Sequence, residues 1–438
     1  MKYLPIDAQL FISNRTKFTA ALKPNSIAIF HSNDEMPTNA DQFHPFKQNS
    51  DIFYLSGIDQ EDTILFLYPD CPIPKYREAI FLKKTNAHIA VWEGHKYTEQ
   101  EATAASGITT IQWREEFSAM FNMLMNHAEN IYLNSNENDR ASILVPSRDA
   151  RFTQETKIRF PLHNFYRSAP IMATLRSSKN EFEKELVQIA CDITTGAFKR
   201  VMKFVKPGVM EFEVEAEILH EFIRNRASRL AYGSIIASGA NACVLHYVDN
   251  NLECKDGDLI LMDFGAEYAN YCADLTRTIP VNGRFTPRQK DVYNAVLRVQ
   301  KEAIKMMHVG MILKEFNSEV GKVMESELLG LGLISTVDIK NQDPENPAYK
   351  KYFMHGTGHH LGLDVHDIGD HYAPLPSGAI LTCEPGIYIP EENIGVRIEN
   401  DIMITDSGKY DFMKDCPAEV EEIEEYMNHF QNADFVSI

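Results

Sequence analysis

The sequence lacks the features that mark several large classes of protein. Its 438 residues include no apolar run of about 18 residues, so no membrane-spanning helix is predicted. Residues 1–12 contain Asp7 and Gln9 and lack the uninterrupted apolar core of a signal peptide. The seven cysteines include no C-x-x-C pair, which argues against a zinc ribbon and a disulfide framework. We therefore expect a cytoplasmic protein that makes no membrane contact.

Several catalytic motifs are missing as well. The chain has no H-E-x-x-H, no G-x-S-x-G and no P-loop, which argues against the familiar zinc protease, serine hydrolase and nucleotide-binding sites. Acidic residues outnumber basic ones, and 43 basic and 62 acidic residues give a net charge of −19. A chain of this charge is not expected to bind the phosphate backbone of a nucleic acid.

The pattern of apolar segments predicts two domains of mixed α and β structure. In residues 1–172, short apolar runs at 64–68 and 79–82 are typical of buried strands, and Phe117 and Phe121 begin one apolar helix face. Alternating strands and helices of this kind predict an α/β domain. The rest of the chain, 173–438, is expected to form a second domain, because 438 residues exceed what a single core accommodates.

The second domain has two halves of similar order. Ser178 and Glu181 resemble a capping box for a first helix, and a second helix is predicted over 211–224. Strands are predicted next near 234–237, 259–263 and 268–278. The same order recurs after Thr286, with helices that end near Gly310 and Leu329 and strands near 380–383, 386–389 and 396–405. We expect the two halves to share a central sheet with a ligand site at their junction.

Acids and histidines concentrate in this second domain, in short strings that each bring one candidate metal ligand. Asp263 ends an apolar strand, and Asp274 lies on the expected returning strand, so a hairpin brings both acids close. His359 lies in a glycine-rich loop, which we expect to approach a ligand closely. Four carboxylates and one imidazole suit two divalent cations such as Mn²⁺, Co²⁺ or Zn²⁺. The candidate ligands are Asp263, Asp274, His359, Glu384 and Glu399.

Taken singly, each of these residues has an ordinary structural explanation. An aspartate at a strand end commonly caps a turn, and a lone histidine is more often structural than a ligand. Arg397 and Glu399 alternate on one strand, as a surface ion pair does. The combination of five such residues, in order, favours the metal site.

The strings resemble those of the dinuclear metallopeptidases of the pita-bread fold, which include aminopeptidase P, prolidase and methionine aminopeptidase. The resemblance covers about residues 175–410. Residues 48–57 and 91–94 also resemble the N-terminal domain of the aminopeptidase P type, which methionine aminopeptidases lack. The strings are His246-Tyr247, Met262-Asp263-Phe264-Gly265, Ala273-Asp274-Leu275-Thr276-Arg277-Thr278, His355-Gly356-Thr357-Gly358-His359, Leu363-Asp364-Val365-His366-Asp367, Glu384-Pro385-Gly386-Ile387-Tyr388 and Arg397-Ile398-Glu399.

The resemblance implies a role for each residue. Asp263 would bind one metal, Asp274 and Glu399 would bridge two metals, and His359 and Glu384 would bind the second; the resemblance favours Mn²⁺ as the metal. A hydroxide between the metals would attack the carbonyl before proline, and Glu384 would shuttle its proton. His246 and His366 would contact the substrate at the reacting bond. The proline side of the pocket would be formed by His355, Tyr388 and Arg397, with Trp92 reaching a neighbouring subunit's site.

The resemblance therefore implies an N-terminal creatinase/prolidase-type α/β domain followed by a pita-bread catalytic domain with pseudo-twofold halves. The implied activity is release of the N-terminal residue from peptides with proline in second position, by a homo-oligomer of two or four subunits. Residues 368–374 lack an arginine associated with some aminopeptidase P enzymes, so a prolidase that hydrolyses Xaa-Pro dipeptides remains an alternative. A peptide-binding module without activity is the other alternative.

Overall fold

The computed structural model describes residues 2–138 and 144–433. The chain divides into two compact units, one of Leu4–Arg176 and the other of Met1–Tyr3 together with Ser177–Ile438. The boundary expected from the sequence, between residues 172 and 173, lies within the last helix of the first unit, so that unit continues a little further along the chain.

The N-terminal unit is built on a six-stranded mixed sheet with the order β6-β5-β4-β1-β7-β8. Strands β1, β4 and β5 pair in antiparallel fashion, whereas β5–β6, β1–β7 and β7–β8 are parallel. The helices are α1 (Ala8–Ala20), α2 (Ser50–Ser56), α3 (Ala87–Glu93), α4 (Glu99–Ser106), α5 (Phe117–Met125), α6 (Arg148–Arg159) and α7 (Ala169–Arg176). The strands are β1 (Ser26–His31), β2 (Pro37–Asn39), β3 (Gln42–Phe43), β4 (Ile64–Leu67), β5 (Glu78–Leu82), β6 (Ile111–Trp113), β7 (Asn130–Leu133) and β8 (Asn164–Arg167).

Apolar side chains fix the helix–sheet packing of this unit. Every residue of β1 and β4 is buried, as expected of strands covered on both faces. The apolar face of α5, which begins with Phe117 and Phe121, packs against Ile29 and Phe66 in one core cluster. The α/β architecture predicted from the sequence is therefore confirmed for this unit.

The C-terminal unit contains two long helix pairs, α8–α9 and α10–α11. Its helices are α8 (Glu181–Phe204), α9 (Glu211–Arg224), α10 (Pro287–Met306), α11 (Leu313–Gly330), α12 (Thr336–Asn341) and α13 (Val420–Ala433). Across residues 2–138 and 144–433, no helix has both the length and the apolar character needed to cross a bilayer.

The start of α8 differs from the expected capping box. The cap is Asn180, whose side chain accepts from the backbone N–H of Glu183 at 3.1 Å while the Glu183 carboxylate accepts from the Asn180 N–H at 3.0 Å. Ser178 is not the cap, because its hydroxyl donates to the carbonyl of Ser377 at 2.7 Å. The cap expected at Thr286 is confirmed, with Pro287 as the first residue of α10.

The strands of the two halves form separate small sheets, so the expectation of one shared central sheet is wrong. One sheet has the order β10-β11-β14 and another has the order β15-β18-β19. Hydrogen bonds such as Glu399 N–H to the carbonyl of Thr276 at 3.0 Å join the halves instead. The strands are β9 (Arg229–Leu230), β10 (Ile235–Ser238), β11 (Leu259–Phe264), β12 (Ala266–Tyr268), β13 (Tyr271–Cys272), β14 (Leu275–Pro280), β15 (Ala379–Cys383), β16 (Gly386–Ile389), β17 (Ile394–Arg397), β18 (Asn400–Thr405) and β19 (Gly408–Asp411).

Candidate metal centre

The two candidate aspartates lie on one face of the β11–β14 ladder. Asp263 stands directly opposite Thr276, and Asp274 precedes Thr276 by two residues, which is the period of one strand face. The hydroxyl of Tyr232 contacts Asp263 Oδ1 at 2.6 Å and also contacts Asp274 Oδ1. The chain between the strands therefore returns both carboxylates to one place, although it forms β12 and β13 and not the single strand expected over 268–278.

Gly265 makes this return possible. A Cβ atom at this position would lie 1.8 Å from the carbonyl oxygen of Ala273, closer than any side chain tolerates. The backbone on either side is held by a bond from Ala273 N–H to the carbonyl of Ala266 at 3.0 Å. Only glycine allows the two passes of the chain to come this close.

His359 is held against strand β15 by its own loop. The N–H of Leu361 donates to the carbonyl of Ile380 at 3.1 Å, and the N–H of Thr382 donates to the carbonyl of His359 at 3.0 Å. The close approach predicted for the glycine-rich loop is present, but its partner is this strand: a Cβ at Gly358 would lie 2.2 Å from the carbonyl oxygen of Thr382. The loop thus gives His359 a fixed backbone position.

Both glutamates occupy breaks between strands. Glu384 follows β15 and precedes β16, and Glu399 separates β17 from β18. The continuous strand expected over 396–405 is therefore interrupted at Glu399, where the backbone turns to bond with Thr276. The Thr276 hydroxyl also donates to Glu399 Oε2 at 2.6 Å. Arg397 does not pair with Glu399 as the strand alternation suggested; its guanidinium forms an ion pair with Asp263.

The five candidate ligands lie close together, and three of them, Asp274, His359 and Glu399, are buried. Donor atoms of Asp274, His359 and Glu399 lie within 4.8 Å of one another. His359 Nε2 lies 3.5 Å from Asp274 Oδ2 and 3.6 Å from Glu384 Oε1. Asp263 joins the cluster through its shared contact with Tyr232. Residues separated widely in the sequence thus converge on a space between the two halves of the C-terminal unit.

The electrostatics of the cluster fit divalent cations. Burial, followed by the charge of Asp263, raises the pKa of Asp274 well above its usual range. Burial and the charges of Asp274 and Glu384 raise the pKa of Glu399 in the same way. Burial also raises the pKa of Glu384 to about 7. Crowded, desolvated carboxylates of this kind resist ionisation unless cations neutralise them, and oxygen donors with one imidazole suit Mn²⁺, Co²⁺ or Zn²⁺.

Most of the residues expected to contact substrate pack against one another or against a candidate ligand, whereas His246 is exposed. The ring of His366 packs edge-on against that of His359, with centroids 4.4 Å apart. His355 Nε2 lies 2.8 Å from the hydroxyl of Tyr388, and Arg397 donates to that hydroxyl at 2.9 Å. Burial, then the charges of Arg397 and His246, lower the pKa of His355 to about 3. His246 itself is exposed in a turn that follows a 3-10 helix, Gly239–Cys243.

Trp92 belongs to the other unit. It lies on α3, a short helix without buried residues, and its side chain is 78% exposed. The structure therefore brings ten of the expected site residues into the C-terminal unit and leaves Trp92 on the surface of the N-terminal unit.

Four residues that support the site were missed by the sequence analysis. Tyr232 and Thr276 contact the candidate ligands directly, and the Thr382 hydroxyl accepts from the His359 N–H at 3.0 Å. The Asp401 carboxylate accepts from the Asp274 N–H at 3.0 Å. Thr382 was visible as a polar residue inside an apolar strand and Thr276 stands within one of the strings quoted above, whereas Tyr232 lies in an irregular segment that carries no signal.

Comparisons with known proteins agree with this geometry. Residues 185–406 match the family model of metallopeptidase family M24, and residues 11–132 match that of the aminopeptidase P N-terminal domain. The chain is 34% identical over 430 residues to a Xaa-Pro aminopeptidase of Haemophilus influenzae, covering 95% of this chain and 97% of that protein. It is 32% identical over 440 residues to the Xaa-Pro aminopeptidase of Escherichia coli, covering 96% and 98%.

Solved aminopeptidase P structures share the fold of this chain. Pseudomonas aeruginosa aminopeptidase PepP superposes with a TM-score of 0.88 at 30% identity, covering 99% of this chain and 100% of that one. Escherichia coli aminopeptidase P, solved with the inhibitor Pro-Leu, superposes with a TM-score of 0.86 at 30% identity, covering 98% and 100%. Sequence similarity over both units, together with the fold, establishes that the chain belongs to metallopeptidase family M24, in its aminopeptidase P branch.

Proposed function

We propose that this chain is a metal-dependent exopeptidase that removes the N-terminal residue from peptides with proline in second position. The observation that carries the proposal is the cluster of four carboxylates and one imidazole, of which Asp274, His359 and Glu399 are buried with ligand atoms close enough to hold an ion, in a chain related over nearly its whole length to Xaa-Pro aminopeptidases. A peptide-binding module without activity would have no need of a complete ligand set.

The cluster would hold two divalent cations, and we propose Mn²⁺ because oxygen donors predominate. Asp263 would bind one ion, Asp274 and Glu399 would bridge both, and His359 and Glu384 would bind the other. When bound, such a pair supplies Lewis-acid activation of water and of the scissile carbonyl. Asp263 pairs with Arg397 through Oδ2, while its Oδ1 and Asp274 Oδ1 both contact the hydroxyl of Tyr232.

The chain's own residues would orient the substrate and move protons. Glu384, beside His359 and 4.0 Å from His355 Nδ1, is the group proposed to accept the proton of the attacking water. His366 and His246 are proposed to donate hydrogen bonds to the substrate at the reacting bond. His355, Tyr388 and Arg397 are proposed to form the proline pocket. The lowered pKa of His355 favours its uncharged form near pH 7. Its ring would then offer an aromatic surface to the proline ring of the substrate, whose nitrogen carries no hydrogen.

Hydrolysis of Ala-Pro and of Ala-Pro-Ala by protein loaded with Mn²⁺ and by protein treated with EDTA tests the proposal. We expect release of free alanine from the tripeptide, dependent on metal, and no comparable hydrolysis of Ala-Ala-Ala. Turnover of Ala-Pro alone would identify a prolidase. Absence of any metal-dependent hydrolysis would favour the binding module.

Compartment and assembly belong to the same proposal. All seven cysteines are free thiols and six of them are buried, which favours the reducing cytoplasm. The exposed Val91 and Trp92 on α3 favour contact with a second copy of the chain, whose site Trp92 would then reach. Sedimentation of the wild type and of Trp92→Ala, with peptide turnover measured in parallel, tests both points.

A further inference from the structure

A buried carboxylate without a positive partner lies at the start of α9. Glu211 is fully buried, and no salt bridge reaches it from residues 2–138 or 144–433. Its charge is met by hydrogen-bond donors instead: Oε1 accepts from the backbone N–H and the hydroxyl of Ser238, both at 2.7 Å, and Oε2 accepts from the Leu252 N–H at 2.9 Å. Several such donors offset the cost of burying a carboxylate.

These contacts close a loop that carries His246. Ser238 precedes the loop and Leu252 follows it, so a single carboxylate fixes both of its ends. Glu211 Oε2 also accepts from the hydroxyl of Tyr247 at 2.7 Å, which attaches the middle of the loop to the same point. The loop is irregular after its first few residues, and a further attachment is Asn250 near its end, whose side chain accepts from the Ile236 N–H and donates to the carbonyl of Ser234, both at 3.0 Å.

Tyr247 connects this attachment to the wall of the metal centre. Its ring is 9% exposed and packs with Ala242, Leu261 and Tyr388 in one apolar cluster. Tyr388 is the residue whose hydroxyl contacts both His355 and Arg397. The 3-10 helix at the start of the loop is also closely packed, because a Cβ at Gly395 on β17 would lie 2.1 Å from the carbonyl oxygen of Ala242.

His246 has no comparable support of its own. It is exposed, and the side chains two positions away, Val244 and Val248, are 53% and 60% exposed. His246 lies near enough to His355 to act on it electrostatically, and its backbone is held by the residue that follows it, Tyr247, whose side chain is buried in the core. A catalytic group must be held within a fraction of an ångström of its productive position, and misplacement by about 1 Å can cost about 100-fold in rate.

We propose that the Tyr247–Glu211 hydrogen bond is a latch that holds His246 in position for the reaction. The inference rests on the proposed function, in which His246 contacts the substrate. Tyr247 and Glu211 are positioning residues: they touch neither metal nor substrate and act through the loop. The proposal gives a role to the hydroxyl of Tyr247, which takes no part in the metal chemistry.

Tyr247→Phe in the metal-loaded enzyme is the first test, because it removes one hydroxyl and keeps the ring in its cluster. We expect unchanged metal content and a Tm close to that of the wild type, with kcat on Ala-Pro-Ala reduced by about 10- to 100-fold and KM changed far less. Tyr293→Phe is the matched control, since its buried hydroxyl donates to the carbonyl of Ala418 at 2.9 Å, outside this loop. Metal lost together with rate would overturn the proposal.

A double-mutant cycle separates action through His246 from a general effect. In a His246→Ala background, Tyr247→Phe should cost little further activity, because the group that the latch positions is already absent. Equal losses from Tyr247→Phe in both backgrounds would overturn the proposal. Failure of the proposed function looks different, because the metal-loaded wild type would then hydrolyse no Xaa-Pro peptide.

Amide hydrogen exchange tests the latch without reference to activity. In Tyr247→Phe, amides of residues 244–252 should exchange faster than in the wild type, while those of α9 and β11 stay as slow. Exchange in the loop that is indistinguishable from that of the wild type would overturn the latch whether or not the protein is an enzyme.

Discussion

Arg397 and Asp263 form a buried ion pair that joins β17 to the end of β11. The guanidinium also donates to the hydroxyls of Tyr388 at 2.9 Å and Thr276 at 3.0 Å, so its whole fork is engaged. One positive charge thus lies against a cluster of four carboxylates. The Arg397 guanidinium stabilises the metal-free cluster, because it offsets part of the negative charge that bound metal ions would neutralise.

Arg397→Met should destabilise the metal-free protein by about 3–5 kcal/mol, because it leaves a buried carboxylate without its partner. The loss should be smaller in the metal-loaded protein, where cations supply the missing positive charge. Calorimetry of both forms measures the difference. Arg288→Met, which removes an exposed pair with Glu392, is the control and should cost about 1 kcal/mol or less in either form. An equal cost of Arg397→Met in both forms would contradict the argument.

Tyr232→Phe should weaken metal binding by about 10- to 100-fold with the fold retained, since it removes the hydroxyl that contacts both Asp263 and Asp274. Titration of the metal-free protein with Mn²⁺, followed by calorimetry, measures the change. Tyr293→Phe is again the matched control. Unchanged affinity in Tyr232→Phe would mean that the hydroxyl merely fills space between the carboxylates.

Glu399→Gln should weaken metal binding by more than about 100-fold, because loss of an outer-shell contact alone costs 10- to 100-fold. The amide keeps the size of the side chain but removes the charge proposed to bridge two cations. Peptidase activity should fall in parallel, while the Tm of the metal-free protein should stay the same or rise as repulsion with Asp274 is relieved. Elemental analysis that finds two tightly bound metals in the variant would refute the bridging role.

Glu183→Gln should alter how stability depends on pH. Burial raises the pKa of Glu183 from 4.5 to about 7, so the folded chain keeps a proton that the unfolded chain releases within this range. The wild type therefore loses stability as pH rises from about 4.5 to 7, by up to about 3 kcal/mol. Glutamine keeps the cap and avoids the loss, so the variant should match the wild type at pH 4 and exceed it at pH 8.

Urea unfolding of the metal-free proteins at several pH values measures this effect. Glu101→Gln is an opposite control: a hydrogen bond from the Thr98 N–H lowers the pKa of Glu101, so its removal should reduce stability near neutral pH. A Glu183 variant whose stability runs parallel to that of the wild type from pH 4 to 8 would show that this carboxyl titrates normally in the fold.

The sequence predicted elements wherever one local signal dominated. The range 211–224 coincides with α9, and 386–389 coincides with β16, because apolar periodicity and a following turn residue mark both. The fold class followed from the same patterns and from the family resemblance. The predicted strand over 268–278 failed because Ala269 and Asn270 adopt positive φ angles of 52° and 66°, which turn the chain and split the strand.

The candidate ligands of the site could be proposed from the sequence, whereas the residues that support them could not. Asp263 and His359 stand in strings that identify them, whereas Tyr232 becomes relevant only when folding places its hydroxyl between two carboxylates. The capping box of α8 shows the same limit: Ser178 and Asn180 are both good caps, and the choice depends on the carbonyl of Ser377, which lies far along the chain. Long-range contacts decide such points, and no local pattern reports them.

The order of the ligands along the chain has a consequence for synthesis. Asp263 and Asp274 leave the ribosome well before His359 and Glu384, and Glu399 comes last. Its backbone N–H must then reach the carbonyl of Thr276 for the cluster to close. A growing chain therefore presents Asp263 and Asp274 before the other candidate ligands, and two aspartates alone make a weak metal site. The full set is present when nearly the whole C-terminal unit has emerged. Assembly of the candidate metal site is in this way tied to synthesis of nearly the whole C-terminal unit.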